Sequence, residues 1–89
     1  MTAASTAAVR VRVLFFASYA DLVGRESVEL TVRHPAMVGD VVAQARAVLP
    51  GAERLPERPL AALNQAQVRL DTPVSDGDEL ALLPPLAGG

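Results

Sequence analysis

The chain has 89 residues, a net charge of −2 and no cysteine, so it is long enough for one small domain and has no residues for disulfides or zinc–thiolate sites. This charge argues against binding to the phosphate backbone of nucleic acids, because such affinity comes from clustered Lys and Arg. No stretch approaches the roughly 20 apolar residues of a membrane helix, and the lack of cysteine fits the cytoplasmic location that we expect.

The chain opens with a tail and a strand. Residues 1–8 lack the basic and apolar regions of a signal peptide, and we predict a flexible tail there. From Val9, the sequence VRVRVLFF alternates with period two and is rich in β-branched residues, which predicts a strand. Leu14 and Phe16 make the end of this strand apolar on both faces, so that end is expected to be buried or to bind a partner.

A short helix and a second strand follow. SYADLVG predicts one or two helical turns, with Ser18 as the N-cap and Asp21 completing a capping-box pattern. Gly24 suits the position after the C-terminus of that helix. ESVELTV at residues 26–32 alternates again and predicts a strand antiparallel to the first.

One longer amphipathic helix is predicted next. Its apolar positions recur at helical spacing: Val38, Val41, Val42, Ala45, Val48 and Leu49. Pro50 and Gly51 terminate it. Residues 50–59 contain three prolines and no periodicity, so they predict a surface connection.

Three short strands complete the predicted domain, residues 9–83. They are LAALN, QVRL and ELALLP, with turns at Asn64–Gln65–Ala66 and at the segment SDGD. The element order is therefore β, short helix, β, α, β, β, β. This order predicts an α+β fold, a ubiquitin-like β-grasp with one main helix and a short helix on a mixed four- or five-stranded sheet.

No catalytic constellation is evident, so whether the chain is an enzyme stays open and no catalytic side chains of its own are predicted. His34 is the only histidine, and its place before Pro35 indicates an exposed loop residue. The densest acidic group lacks calcium-loop spacing and is better explained by turn formation: Asp71, Asp76, Asp78 and Glu79. We therefore predict no metal site and no bound cofactor.

The C-terminal segment is the most informative part of the sequence. It is an extended arm over residues 84–89, consisting of Pro84, Pro85, Leu86, Ala87, Gly88 and Gly89. The prolines end the last strand and favour extended chain. Leu86 can anchor in a pocket, and the small residues after it can enter a narrow tunnel of a partner enzyme. The reactive group would be the Gly89 carboxylate, which adenylation by ATP turns into an acyl donor for sulfur; frayed terminal glycines without a role are the alternative.

The sequence resembles the β-grasp sulfur carriers, and within them the family of molybdopterin synthase small subunits. The resemblance is carried by VRVLFFASYADLVG and by ALNQAQVRLDTPVSDGDELALLPPLAGG. It implies that an adenylyltransferase related to ubiquitin activators uses ATP to activate Gly89, which becomes a thiocarboxylate. It further implies that the tail enters the synthase large subunit, in a heterotetramer, and donates sulfur to cyclic pyranopterin monophosphate for the molybdenum cofactor.

The resemblance also implies a partner-binding surface. Carried over to this chain, it comprises Phe16, Gln67, Leu83 and the tail. Gln67 is polar where the family often has an apolar residue, and Leu83 stands where an aromatic residue is frequent. A second, small core beneath residues 50–59 is an alternative location for Phe16 and Leu83.

Other functions remain open at the level of the sequence. Related carriers deliver sulfur to thiamine, to cysteine or to transfer RNA, although the double proline favours molybdopterin. A ubiquitin-like modifier would join Gly89 to a lysine of a target; because all eight basic residues are Arg, this chain could not form self-linked chains. A plain interaction module with idle glycines is the last alternative.

Overall fold

The computed structural model describes residues 8–85 and confirms the predicted fold class. The strands are β1 (Ala8–Phe15), β2 (Ser27–Arg33), β3 (Leu60–Leu63), β4 (Ala66–Val68) and β5 (Asp78–Leu83). The helices are α1 (Ser18–Val23) and α2 (Val38–Val48), with one 3₁₀ turn at Ala52–Arg54. β1 thus begins at Ala8, one residue earlier than the boundary set for the tail. Neither of the described helices is long and apolar enough to cross a membrane.

The five strands form one mixed sheet in the order β2-β1-β5-β3-β4. β1 and β5 run parallel at the centre, whereas the other neighbouring pairs are antiparallel. The predicted antiparallel pairing of the first two strands is confirmed. β5 therefore lies between β1 and the β3–β4 hairpin.

The core lies between one face of this sheet and α2. Every second side chain of β1 points into it, which confirms the predicted period: Val9, Val11, Val13 and Phe15. β5 contributes Leu80 and Leu82, both fully buried. α1 adds Tyr19 and Val23 at one end of the same cluster.

The start of α1 differs from the prediction. Ala17, with φ of +51°, is the N-cap, and no side chain caps the helix, so Ser18 is its first residue and the predicted Ser18 cap was wrong. The turn at Ala17 leads from the end of β1 directly into α1, and the Tyr19 N–H donates to the Phe16 carbonyl at 3.0 Å. Gly24 ends α1 in the left-handed conformation, as predicted.

Five of the six apolar positions predicted for α2 are buried, and four of these lie within the helix: Val38, Val41, Val42 and Ala45. Leu49, just past its last residue, is also buried. Val48 is 56% exposed, so its assignment to the apolar face was wrong. At the other end, Asp40 Oδ2 accepts a hydrogen bond from the Met37 N–H at 2.8 Å and caps the helix.

Residues 50–59 are only partly a surface connection. Ala52 and Leu55 are buried in the main core, and the 3₁₀ turn places them there. Arg46 Nε donates to the Leu55 carbonyl at 2.9 Å and fixes the segment to α2. The sequence analysis missed Ala52 and Leu55 as core positions, because this proline-rich segment has no apolar period.

The β3–β4 hairpin turns at Asn64 and Gln65, which both have positive φ, 51° and 75°. This two-residue turn is shorter than the predicted one, and β4 ends at Val68 rather than Leu70. The Asn64 side chain also ties the hairpin to β5, since it accepts from the Glu79 N–H and donates to Asp78 Oδ1, each at 3.0 Å.

Candidate functional site

The sheet has an outer face that no described element covers. Strand register places one row of side chains across all five strands on this face: Ser27, Leu14, Ala81, Ala62 and Gln67. A second row, closer to the end of β5, contains Leu83 and its antiparallel partner Leu60. Directly paired positions on neighbouring strands lie about 5 Å apart, so these rows form one continuous surface.

The three predicted partner-binding residues all lie on this face. Phe16 follows β1, is 45% exposed and lines a shallow depression with Leu14. Because Phe15 is paired with Leu82, the next position, Phe16, stands level with Leu83. Gln67 is exposed on the edge strand β4, two strands from β5 and therefore roughly 10 Å away.

The sequence analysis missed most of the apolar side chains that join these residues. We define the outer-face patch as Leu14, Phe16, Leu60, Ala62, Ala81 and Leu83, all exposed or half-buried. Leu60 is 45% exposed, as much as Phe16. Counting back along β3 from the Asn64–Gln65 turn would have placed Leu60 and Ala62 on the outer face, but the short segment LAAL shows no period of its own.

A second core beneath residues 50–59 does not hold Phe16 and Leu83. Phe16 is exposed, Leu83 is only half-buried, and neither belongs to the buried cluster. The buried side chain of Leu55 from that segment packs into the main core on the opposite side of the sheet. The alternative was therefore wrong, and both residues remain available to a partner.

Charged residues border the patch at the other end of the outer face. Arg12 stands opposite Glu29 on β2 and beside Glu79 on β5. An exposed apolar surface with a polar border is typical of a protein-docking site.

An ion pair closes this charged end. The Arg10 N–H donates to Asp76 Oδ1 at 2.8 Å, and Arg10 Nε approaches the same atom at 3.4 Å. These hydrogen bonds hold the pKa of the exposed Asp76 below its ordinary value. The pair links the start of β1 to the turn before β5.

The tail leaves the sheet beside the patch. β5 ends at Leu83, and neither Pro84, which is half-buried, nor Pro85, which is exposed, continues the strand, as predicted. Leu86, Ala87, Gly88 and Gly89 lie outside the described residues. The predicted tail therefore begins beside Leu83 and its neighbour Leu60, at the edge of the patch.

Residues 8–85 bring together no group of three or more His, Asp or Glu side chains that could hold a metal ion. His34 is exposed in a loop, as predicted. The acidic cluster serves turns, as its spacing suggested, since Asp78 Oδ2 accepts from the Ser75 N–H at 2.7 Å. What the described arrangement offers is a surface for docking, with the tail beginning at its edge.

Comparisons with known proteins agree with this geometry. The model of the ThiS family matches residues 13–89. The molybdopterin synthase sulfur carrier subunit of Escherichia coli (strain K12) is 38% identical, over 89% of this chain and 99% of that protein.

Solved structures show the same fold. One chain in the protein–protein complex of subunits 1 and 2 of molybdopterin-converting factor from Helicobacter pylori 26695 matches with a TM-score of 0.66 and 27% identity, over 91% of this chain and 100% of that one. Small archaeal modifier protein 1 of H. volcanii matches with a TM-score of 0.78 and 27% identity, over 88% of this chain and 99% of that one.

Proposed function

Because this chain belongs to the ThiS family, we propose that it is the sulfur carrier subunit of molybdopterin synthase. The observation that carries the proposal is its 38% identity, over nearly the whole length of both proteins, to a carrier subunit of that name. The outer-face patch supports the proposal, since a carrier whose tail enters a partner protein needs a docking surface beside the start of that tail.

The chemistry resides in the Gly89 carboxylate. A carboxylate is a poor acyl donor, so it first attacks the α-phosphate of ATP, which releases pyrophosphate and leaves an acyl adenylate. A sulfur donor then displaces AMP and yields a thiocarboxylate, whose sulfur is nucleophilic. The carrier contributes no catalytic side chain and binds no cofactor in this scheme; ATP belongs to the activating enzyme.

Two partners follow from this scheme, an adenylyltransferase related to ubiquitin activators and the large subunit of the synthase. Inside the large subunit, the tail presents its sulfur to cyclic pyranopterin monophosphate. A solved complex of subunits 1 and 2 of a molybdopterin-converting factor, one chain of which has the fold described here, supports the second partnership. Phe16 and Leu83 provide the docking contacts, and the synthase is a heterotetramer.

The first test is intact mass spectrometry of the protein purified from its native host. A thiocarboxylate makes the protein heavier by the mass difference between one sulfur and one oxygen atom, and fragmentation places that difference on Gly89. Reconstitution with the large subunit and cyclic pyranopterin monophosphate then identifies the acceptor. A thiocarboxylated protein that yields no molybdopterin in this assay would point instead to thiamine, cysteine or transfer RNA as the acceptor pathway.

A protein modifier is the main competitor, because small archaeal modifier protein 1 shares the fold with a TM-score of 0.78. Among solved structures its identity equals that of the molybdopterin-converting factor chain, 27% for each, so the carrier proposal depends on the 38% identity to the sulfur carrier subunit of Escherichia coli. Recovery of Gly89 in an isopeptide bond to lysines of other proteins, with no thiocarboxylate, would replace the carrier proposal by this one.

A further inference from the structure

Leu60 connects the outer-face patch to a groove at the edge of the sheet. The ladder between β3 and β4 stops at the pair Ala61 and Val68. Beyond this pair the two segments of the chain separate, and a groove opens between residues 57–60 and 68–71. The apolar residues that line it are Met37, Pro59, Leu60, Val68 and Leu70.

Two of the apolar side chains that line this groove are exposed, whereas Pro59 is buried and Val68 and Leu70 pack against the core. Met37, at the N-cap of α2, is 44% exposed, and Leu60 is 45% exposed. Four large apolar side chains of the described residues are exposed, and three of them lie on the continuous surface from Phe16 to Leu60 and Met37. Such continuity marks an interaction surface, whereas the fourth, Val48, stands alone.

The charges around the groove leave one cation without a partner. Glu57 lies 3.8 Å from Arg46, and Asp71 lies 3.5 Å from Arg69. Arg58 lines the same groove and makes no ion pair with any residue of the part that the structure describes. An occupant with a carboxylate would complete this site, because Arg binds carboxylates with directed hydrogen bonds.

We infer that the partner protein that receives the tail also inserts an extended segment into this groove, with an apolar side chain between Met37 and Leu60 and a carboxylate beside Arg58. This inference rests on the proposed function, with the synthase large subunit as the partner. The surface is continuous, because Leu60 pairs with Leu83 in the row that ends at Phe16.

The test is titration calorimetry of the full chain with the large subunit. Leu60→Thr keeps a good strand former, and Met37→Ser introduces a preferred N-cap, so both variants remove apolar contact without weakening the fold. We expect each to raise Kd at least about fivefold, as anchors of an interface do. Val48→Ser removes an exposed apolar side chain outside the surface and is expected to leave Kd unchanged.

The carboxylate is tested separately. Arg58→Ala is expected to raise Kd about threefold or more, with an effect that shrinks at high salt. Arg54→Ala, an exposed arginine in the same segment but outside the groove lining, is the matched control and should bind as the unmodified protein does.

The variant Phe16→Arg distinguishes a failure of the groove inference from a failure of the proposed function. If Phe16→Arg and Leu60→Thr weaken binding while Met37→Ser and Arg58→Ala bind normally, the patch alone is the docking site and the groove inference is wrong, because Leu60 belongs to both surfaces whereas Met37 and Arg58 belong only to the groove. If the unmodified chain does not bind the large subunit at all, the proposed function fails and the inference fails with it. Melting temperatures equal to that of the unmodified protein establish that each variant is folded.

Discussion

Gly51 occupies a position where any side chain would be strained. Its φ is +88°, and a Cβ atom there would collide with the carbonyl oxygen of Leu22. We predict that Gly51→Ala lowers the free energy of unfolding by about 2 kcal/mol or more, since backbone strain and the clash add. Gly24→Ala is the control: φ is +78° but the space is open, so only the conformational cost of about 1 kcal/mol applies. Urea denaturation measures both, and equal losses would contradict the role of the clash.

Asp76 makes stability depend on pH. Its pKa is lowered in the folded protein, first by the hydrogen bond from the Arg10 N–H and then by the Arg10 side chain. A depressed folded-state pKa stabilises the protein above the ordinary Asp pKa of about 3.9, and this contribution is lost as pH falls through the lower folded-state value.

We therefore predict that Asp76→Asn is less stable than the unmodified protein at neutral pH and that the difference narrows in acid. Chemical denaturation of both proteins at neutral pH and at about pH 2.5 measures this difference in the free energy of unfolding. A difference of the same size at both pH values would show that the carboxylate charge does not contribute and that only the shape of the turn matters.

Among the elements, the β3–β4 hairpin is the one whose stability a single substitution in its turn can raise. Gln65 has φ of +75°, which costs a side-chain-bearing residue about 1 kcal/mol, whereas Asn-Gly is the favoured pair for this turn. We predict that Gln65→Gly raises the melting temperature by about 3–6 °C. Ala66→Gly, one residue further and inside β4, should lower it. Calorimetry compares the two, and a lower melting temperature for Gln65→Gly would contradict the strain at this position.

How well the sequence predicted each element depended on how regular its pattern was. β1 alternates for eight residues, and its buried positions followed directly from that period. The N-cap of α1 was not predicted, because Ala17 has a positive φ that an alanine rarely adopts and that the sequence does not indicate. Leu55 was missed because the prolines around it have no period, and its burial depends on the 3₁₀ turn and on Arg46.

Prediction of the residues on the outer face was limited in the same way, by the lack of a regular pattern. Phe16, Gln67 and Leu83 were named from a resemblance, and the structure places all three on one face. Their neighbours Leu60 and Ala62 were missed, because LAAL has no period of its own and counting back to these residues needs the two-residue turn at Asn64–Gln65, where the sequence predicted a turn of three residues. The tail residues from Leu86 onward stay a prediction.

In the molecule as a whole, stability and docking belong to opposite faces of one strand. Leu82 is fully buried, whereas its neighbour Leu83 is half-buried on the outer face. We predict that Leu82→Ala costs about 2–5 kcal/mol of stability and that Leu83→Ala costs less than about 1 kcal/mol. For binding to the large subunit, Leu83→Ala should be the more harmful of the two under conditions where both are folded.

Denaturation and calorimetry on the same two variants test this separation. If Leu83→Ala destabilised the protein as much as Leu82→Ala, the outer face would be part of the core. In that case the docking assignment would have to be abandoned.

The central position of β5 has a consequence for how the protein is made. Val11 on β1 aligns with Asp78 on β5, so the first and last strands must meet before the sheet is complete. A nascent chain whose residues 78–83 are still inside the ribosome leaves β1 and β3 without their shared neighbour and cannot close its core. Truncated translation products would therefore stay unfolded and open to proteolysis. Only a chain whose synthesis has proceeded through β5 can fold and present its tail to an enzyme.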